Sequence, residues 1–107
     1  MIIELNRENF SKEVQKNAPI LVDFWATWCP PCMKQGQVLH ALAEEYPELR
    51  IGKVNVDENP ELAAAFGISN IPTMMMFRSG QASDTVVGLR NASQVLDMFR
   101  QQGVNFE

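Results

Sequence analysis

The sequence predicts a three-layer α/β domain built on a mixed sheet, and three observations lead there. Apolar runs of strand length alternate with stretches of helical periodicity along the chain. Helices join the early strands, which favours right-handed parallel crossovers. The last two strands are separated only by Arg78-Ser79-Gly80-Gln81, short enough for an antiparallel hairpin.

Residues 2–5 add an edge strand. Phe10 and Val14 share one face of a first helix, with Asn6 as its cap. Residues 20–26, Ile-Leu-Val-Asp-Phe-Trp-Ala, form a nearly continuous apolar run, as in a strand covered on both faces. Val38, Leu39, Leu42, Ala43 and Tyr46 then make an apolar stripe at helical spacing. A strand follows over residues 51–56. Asn59-Pro60 reads as the cap and first turn of a helix carrying Leu62 and Phe66, with Gly67 as its stop. Residues 73–77 and 85–87 are the last two strands. Asn91, with Gln94 three residues on, opens a final helix bearing Val95, Leu96 and Phe99, with Gly103 near its end.

Length and composition narrow the function. A chain of 107 residues, 46% of them hydrophobic, fits one domain over residues 1–107 with a core of its own. No stretch approaches the roughly 18 apolar residues that span a bilayer. Met1-Ile2-Ile3-Glu4-Leu5-Asn6-Arg7 lacks the features of a secretory signal, so a cytoplasmic location is expected. A net charge of −4, with both signs mixed along the chain, offers no basic footprint to nucleic acid and no polybasic membrane anchor. A monomer is expected.

Two cysteines are too few for a disulfide framework. Their position is more telling. Cys29 follows the end of the buried strand and precedes the long amphipathic stripe, which puts it at a helix N-terminus. Free N–H groups and the helix dipole favour an anion there, and the thiolate is the reactive form of cysteine. Cys32 lies three residues on, on the same helical face, where the two sulfurs can meet. Pro31 is tolerated in a first turn and biases Pro30 away from helical geometry, so the helix is expected to begin near Pro31. Inert structural cysteines are one alternative. Half of a zinc site is another, but a closed site needs four ligands, and His40 is the only other soft candidate.

Asp23 is the second anomaly, a carboxylate inside an apolar strand. Burial without a partner is costly and raises the pKa, so Asp23 could exchange protons near neutral pH. Cys32 needs such an acceptor when its thiol attacks a mixed disulfide. Lys53, on a strand that could lie alongside, is a candidate charge partner. The alternative is an Asp that reaches solvent at a strand edge. Pro72 stands just before a strand, where a trans bond is the default. Trp25 reads as core, Trp28 as a partly exposed contact surface, and Met74, Met75 and Met76 as core filler.

Together these blocks resemble the thioredoxin family, and the resemblance runs through most of the chain. It rests on Val22-Asp23-Phe24-Trp25-Ala26-Thr27-Trp28-Cys29, Lys53-Val54-Asn55-Val56-Asp57-Glu58-Asn59-Pro60, Phe66-Gly67-Ile68, Ile71-Pro72-Thr73 and Val87-Gly88. The resemblance implies the thioredoxin fold, a mixed five-stranded sheet flanked by four helices. It implies that Cys29 is the attacking thiolate, Cys32 the resolving thiol and Asp23 the proton-transfer carboxylate beside Lys53. It further implies that Pro72 is a cis-proline facing the disulfide. Trp28, Pro30, Pro31 and the backbone of Ile71 and Gly88 would then form the substrate groove.

The expected activity is protein-disulfide reduction by a dithiol that needs no bound cofactor and no metal. Its expected partners are oxidised proteins and an NADPH-linked, flavin-containing thioredoxin reductase. Three departures stand out: Pro30-Pro31 where the family usually has Gly-Pro, Gln37 where a helix-kinking proline is usual, and Asn70 where Gly is common before Ile71. Pro30-Pro31 keeps open a pathway-specific oxidase or isomerase, and a thioredoxin-like binding or chaperone module is the reading outside catalysis.

Overall fold

Ile20, Leu21, Val22, Asp23 and Phe24 are all buried, and the strand they form lies at the centre of the sheet. The computed structural model describes residues 1–106. In chain order the elements are β1 (Ile2–Glu4), α1 (Phe10–Val14), β2 (Ile20–Trp25), α2 (Pro30–Glu45), β3 (Arg50–Asn55), α3 (Pro60–Ala65), β4 (Thr73–Arg78), β5 (Gln81–Val87) and α4 (Ala92–Arg100). The sheet order is β1-β3-β2-β4-β5. β3 runs parallel to β1 and β2, whereas β4 is antiparallel to both β2 and β5. This is the predicted mixed five-stranded sheet with four helices.

Alternation along β2 divides the core between two faces. Ile20, Val22 and Phe24 face a cluster with Leu5, Phe10, Val14, Val54 and Phe77, closed by Leu62 from α3 and Phe66 at its C-cap. Phe66 anchors it through rings 5.3 Å from both Phe10 and Phe77. Leu21 lies on the other face with Leu39 and Leu42 of α2, Ile51, Met74, Met76, and Val95 and Phe99 of α4. Asp23 follows Leu21 by two residues, so it projects from the α2/α4 face. Lys53 follows Ile51 by two and shares that face.

Local chemistry explains most of the boundaries. The β4–β5 turn places Ser79 at φ 52° and Gly80 at φ 79°, the paired positive angles of a hairpin turn whose twist matches its strands. The N–H groups of Ser79 and Gly80 donate to Lys16 O and Val14 O, satisfying carbonyls at the end of α1. Asn91 and Gln94 form the expected capping box on α4. β5 is longer than residues 85–87, because its pairing with β4 continues back to the turn, with a register shift at Met76/Phe77.

Three local expectations are corrected. α2 begins at Pro30 rather than Pro31, because a proline at the first helical position lacks only an N–H that has no partner in the helix. Asn6 caps the turn before α1, its Oδ1 accepting from Glu8 N and Asn9 N at 2.8 and 3.1 Å. Asn59 holds the cap position of α3, but its side chain donates back to Asn55 O at 3.1 Å instead of capping.

Gly52 shows how tightly β3 packs. A Cβ there would collide with Leu5 Cδ1 and lie 3.2 Å from Ile20 Cδ1. Gly52→Ala is therefore expected to destabilise the fold by about 1–3 kcal/mol, read as a shifted denaturant midpoint. An unchanged midpoint would mean that this part of the core yields freely.

Candidate active site at the end of the central strand

β2 delivers the chain through Ala26, Thr27 and Trp28 to Cys29, which is the N-cap of α2. Its backbone is extended, at φ −106° and ψ 104°, and its Sγ accepts from Cys32 N at 3.3 Å. The sulfur thus takes the place of a serine or aspartate oxygen at a helix start. Pro30 and Pro31 lack N–H groups, Cys32 N serves Cys29 Sγ, and Met33 N bonds Cys29 O at 3.2 Å. The first turn has no idle donor. Cys29 and Cys32 form a disulfide, with Cα atoms 5.2 Å apart. Cys32 is fully buried and Cys29 nearly so.

The Ile71–Pro72 peptide bond is cis. Ile71 O lies 3.8 Å from Cys29 Sγ, so this turn stands directly against the disulfide. Two bonds hold it there: Gly88 N donates to Pro72 O at 2.8 Å, and Thr73 Oγ1 donates to Asn70 O. Gly88, at φ 95°, takes a backbone conformation that a side chain would strain.

Asp23 is fully buried, and neither carboxylate oxygen has a hydrogen-bond partner. Its register neighbours are Lys53 on β3 and Met74 on β4. Burial pushes its pKa up to about 7, against the opposing pull of Lys53. The strand-edge alternative fails, since β2 is interior to the sheet. The Lys53 ammonium lies over the Trp25 ring, 4.5 Å from its centroid. A cleft of about 650 Å³ between α2 and β3 is lined by Trp25, Cys32, Gly36, His40 and Lys53, and it runs up to the side of α2 that carries the buried cysteine. Among the described residues, no cluster of three or more His, Cys, Asp or Glu is placed to hold a metal ion.

The tryptophans divide as expected in part. Trp28 is 66% exposed, and its Nε1 donates to Asp57 Oδ2 at 2.7 Å. Trp25 is only half-buried, packed against the cysteine cluster. The structure therefore gathers Cys29, Cys32, Ile71, Pro72 and Gly88 at one point, with Asp23 and Lys53 behind on the α2 face. Sequence reasoning missed Asp57 as the partner of Trp28. It also missed Gln35, a fully buried amide bonded to Arg90. The available signal for Gln35 was a polar residue four positions before Leu39, on the buried side of α2.

Comparison with known proteins agrees with this geometry. The thioredoxin family model matches residues 1–101. Thioredoxin from Porphyra purpurea is 46% identical over 89 residues, covering 81% of this chain and 83% of that protein. Thioredoxin 1 from Synechococcus elongatus is 48% identical over 81 residues, covering 74% and 76%. The crystal structure of Malassezia sympodialis thioredoxin (Mala s 13) superposes with a TM-score of 0.86 at 30% identity, covering 96% of this chain and 94% of that one. On sequence and architecture alike, the chain belongs to the thioredoxin family.

Proposed function

We propose that this thiol–disulfide oxidoreductase works as a general protein-disulfide reductase, a cytoplasmic monomer recharged by an NADPH-linked flavin thioredoxin reductase. The observation that carries the reading is the Cys29–Cys32 disulfide, with one sulfur capping a 16-residue helix. Family membership supplies the activity, and the dithiol itself carries both electrons, so no cofactor is needed. A cytoplasmic setting suits it because thiols are kept reduced there.

In the reduced state the N-terminus of α2 stabilises the Cys29 thiolate. That thiolate attacks one sulfur of a substrate disulfide, and the other substrate sulfur leaves as a thiolate. The Cys29–substrate mixed disulfide is then attacked by Cys32, whose proton passes to the Asp23 carboxylate. The second substrate sulfur departs, and the Cys29–Cys32 disulfide remains. Asp23 suits its part because burial has brought its pKa to about 7, between carboxylate and thiol. Lys53 keeps an ammonium near that carboxylate and limits the rise. The cis turn at Ile71-Pro72 presents a free backbone edge beside Cys29, suited to extended pairing with substrate, while Trp28, Pro30, Pro31 and Gly88 border the groove.

The test is insulin reduction driven by NADPH and a flavin thioredoxin reductase, combined with a redox titration of the pair. Catalytic turnover and a potential near thioredoxin's own value, about −270 mV, are expected. A potential near the −120 mV of a strong oxidant, with no turnover, would replace the reductase by an oxidase whose direction Pro30-Pro31 sets.

A further inference from the structure

Gln35 is fully buried one helical turn after Cys32, on a stretch of α2 that otherwise packs apolar groups. A buried amide is costly unless its polar atoms are paired. Here both ends of the amide engage a single residue. Arg90 N donates to Gln35 Oε1 at 2.8 Å, and Gln35 Nε2 donates to Arg90 O at 3.1 Å. The side chain therefore binds the Arg90 backbone much as a neighbouring strand would, across 55 residues of sequence.

Arg90 is the last residue before Asn91, the N-cap of α4, and it lies two residues after Gly88. Gly88 N is fixed to Pro72 O at 2.8 Å, on the cis turn that touches the disulfide. The segment Gly88-Leu89-Arg90 is thus pinned at both ends, to the cis turn at one and to the redox helix at the other. Leu89, between the pins, is 43% exposed. Trp28, Met33 and Val87 are also exposed large apolar residues. Trp28 and Met33 immediately flank the cysteines, and Val87 immediately precedes Gly88. Apolar groups held in water around a reactive pair form a surface for a protein substrate.

We propose that Gln35 is a positioning residue for protein substrates: its amide clamps Arg90 and thereby holds Gly88 and Leu89 as a fixed wall beside the disulfide. The proposal rests on the reductase reading. It assigns Gln35 to substrate fit and leaves the thiol chemistry to the groups already described. Loss of the clamp frees the segment, and ordering it again on binding opposes association with a large substrate. A small disulfide that touches only Cys29 does not need the wall.

Gln35→Met, close to isosteric, and Gln35→Leu are compared with wild type on insulin and on a small aromatic disulfide. The expected result is a rise in KM for insulin of about tenfold, equivalent to about 1.4 kcal/mol, with kcat within about twofold. The rate with the small disulfide is expected to stay within about twofold. Exchange of the Arg90 amide proton, read by NMR, should accelerate at least about tenfold in both variants. It should stay slow in Arg90→Ala, which keeps the backbone groups that the clamp uses. An unchanged insulin KM, or an equal loss on both substrates, overturns the proposal. Arg90 amide exchange that stays slow in both Gln35 variants also overturns the proposal, whereas wild-type chain without insulin reduction overturns the reductase reading instead.

Discussion

Cys29→Ser is expected to reduce insulin turnover to the uncatalysed background, whereas Cys32→Ser is expected to arrest the reaction halfway. The difference follows from the two positions. Cys29 Sγ caps α2 and lies beside Ile71 O, at the rim where a substrate disulfide can approach. Cys32 is fully buried behind it. A serine hydroxyl at position 29 does not ionise near neutral pH and cannot form the mixed disulfide, so a fall of roughly a thousandfold or more is expected. With Cys32→Ser, Cys29 still attacks and expels one substrate thiol. The resolving thiol is gone, so a covalent adduct accumulates. Mass spectrometry of the quenched reaction should show one substrate per chain, released by dithiothreitol. One thiol is freed in the first turnover and none after it. An adduct formed by Cys29→Ser, or sustained turnover by Cys32→Ser, would reverse the order of attack.

The position of Cys29 at the start of α2 was legible in the sequence because its causes are local. A buried strand, a Cys-x-x-Cys segment and an amphipathic stripe in succession place the first cysteine at a helix N-terminus whatever the rest of the chain does. The capping box at Asn91 and the hairpin at Ser79-Gly80 were legible for the same reason. Long-range pairings were not. Trp28 meets Asp57 across 29 residues and Gln35 meets Arg90 across 55, and neither spacing has a periodic signature. The cis bond before Pro72 is an intermediate case. Sequence alone favours trans, and only the resemblance to the family pointed to cis. At the helix starts, competing partners decided matters. Asn59-Pro60 has the pattern of a cap and first turn, yet Asn55 O is within reach of Asn59 and takes its amide. Asp23 stands out as an anomaly from its apolar strand alone. Its burial depended on β3 and β4 closing over both edges, a fact of topology and not of the local run.

Asp23→Ala is expected to make the oxidised protein more stable and the enzyme slower. The folded chain holds the Asp23 carboxyl at a pKa of about 7, against an ordinary value of 3.8. Because the folded pKa is raised, the unfolded chain releases this proton first as pH increases. The resulting penalty is absent well below pH 4, grows between about pH 4 and pH 7, and is complete above that range. A shift of about 3 pKa units corresponds to about 4 kcal/mol. Denaturant titrations of wild type and variant should therefore diverge by that order between about pH 4 and pH 8, in the variant's favour. The constant cost of the small void left by alanine is the same at both pH values and drops out of the comparison. The kinetic effect has the opposite sign. Without the carboxylate, the Cys32 proton must leave through the cleft to solvent, and release of the mixed disulfide near pH 7 should slow by roughly a hundredfold. Hydroxide takes over as pH rises, so the deficit should narrow toward pH 9. A stability difference that is flat with pH would mean that Asp23 has the same pKa in the folded and the unfolded chain. An unchanged release rate would remove it from the proton path while leaving the two cysteines in their places.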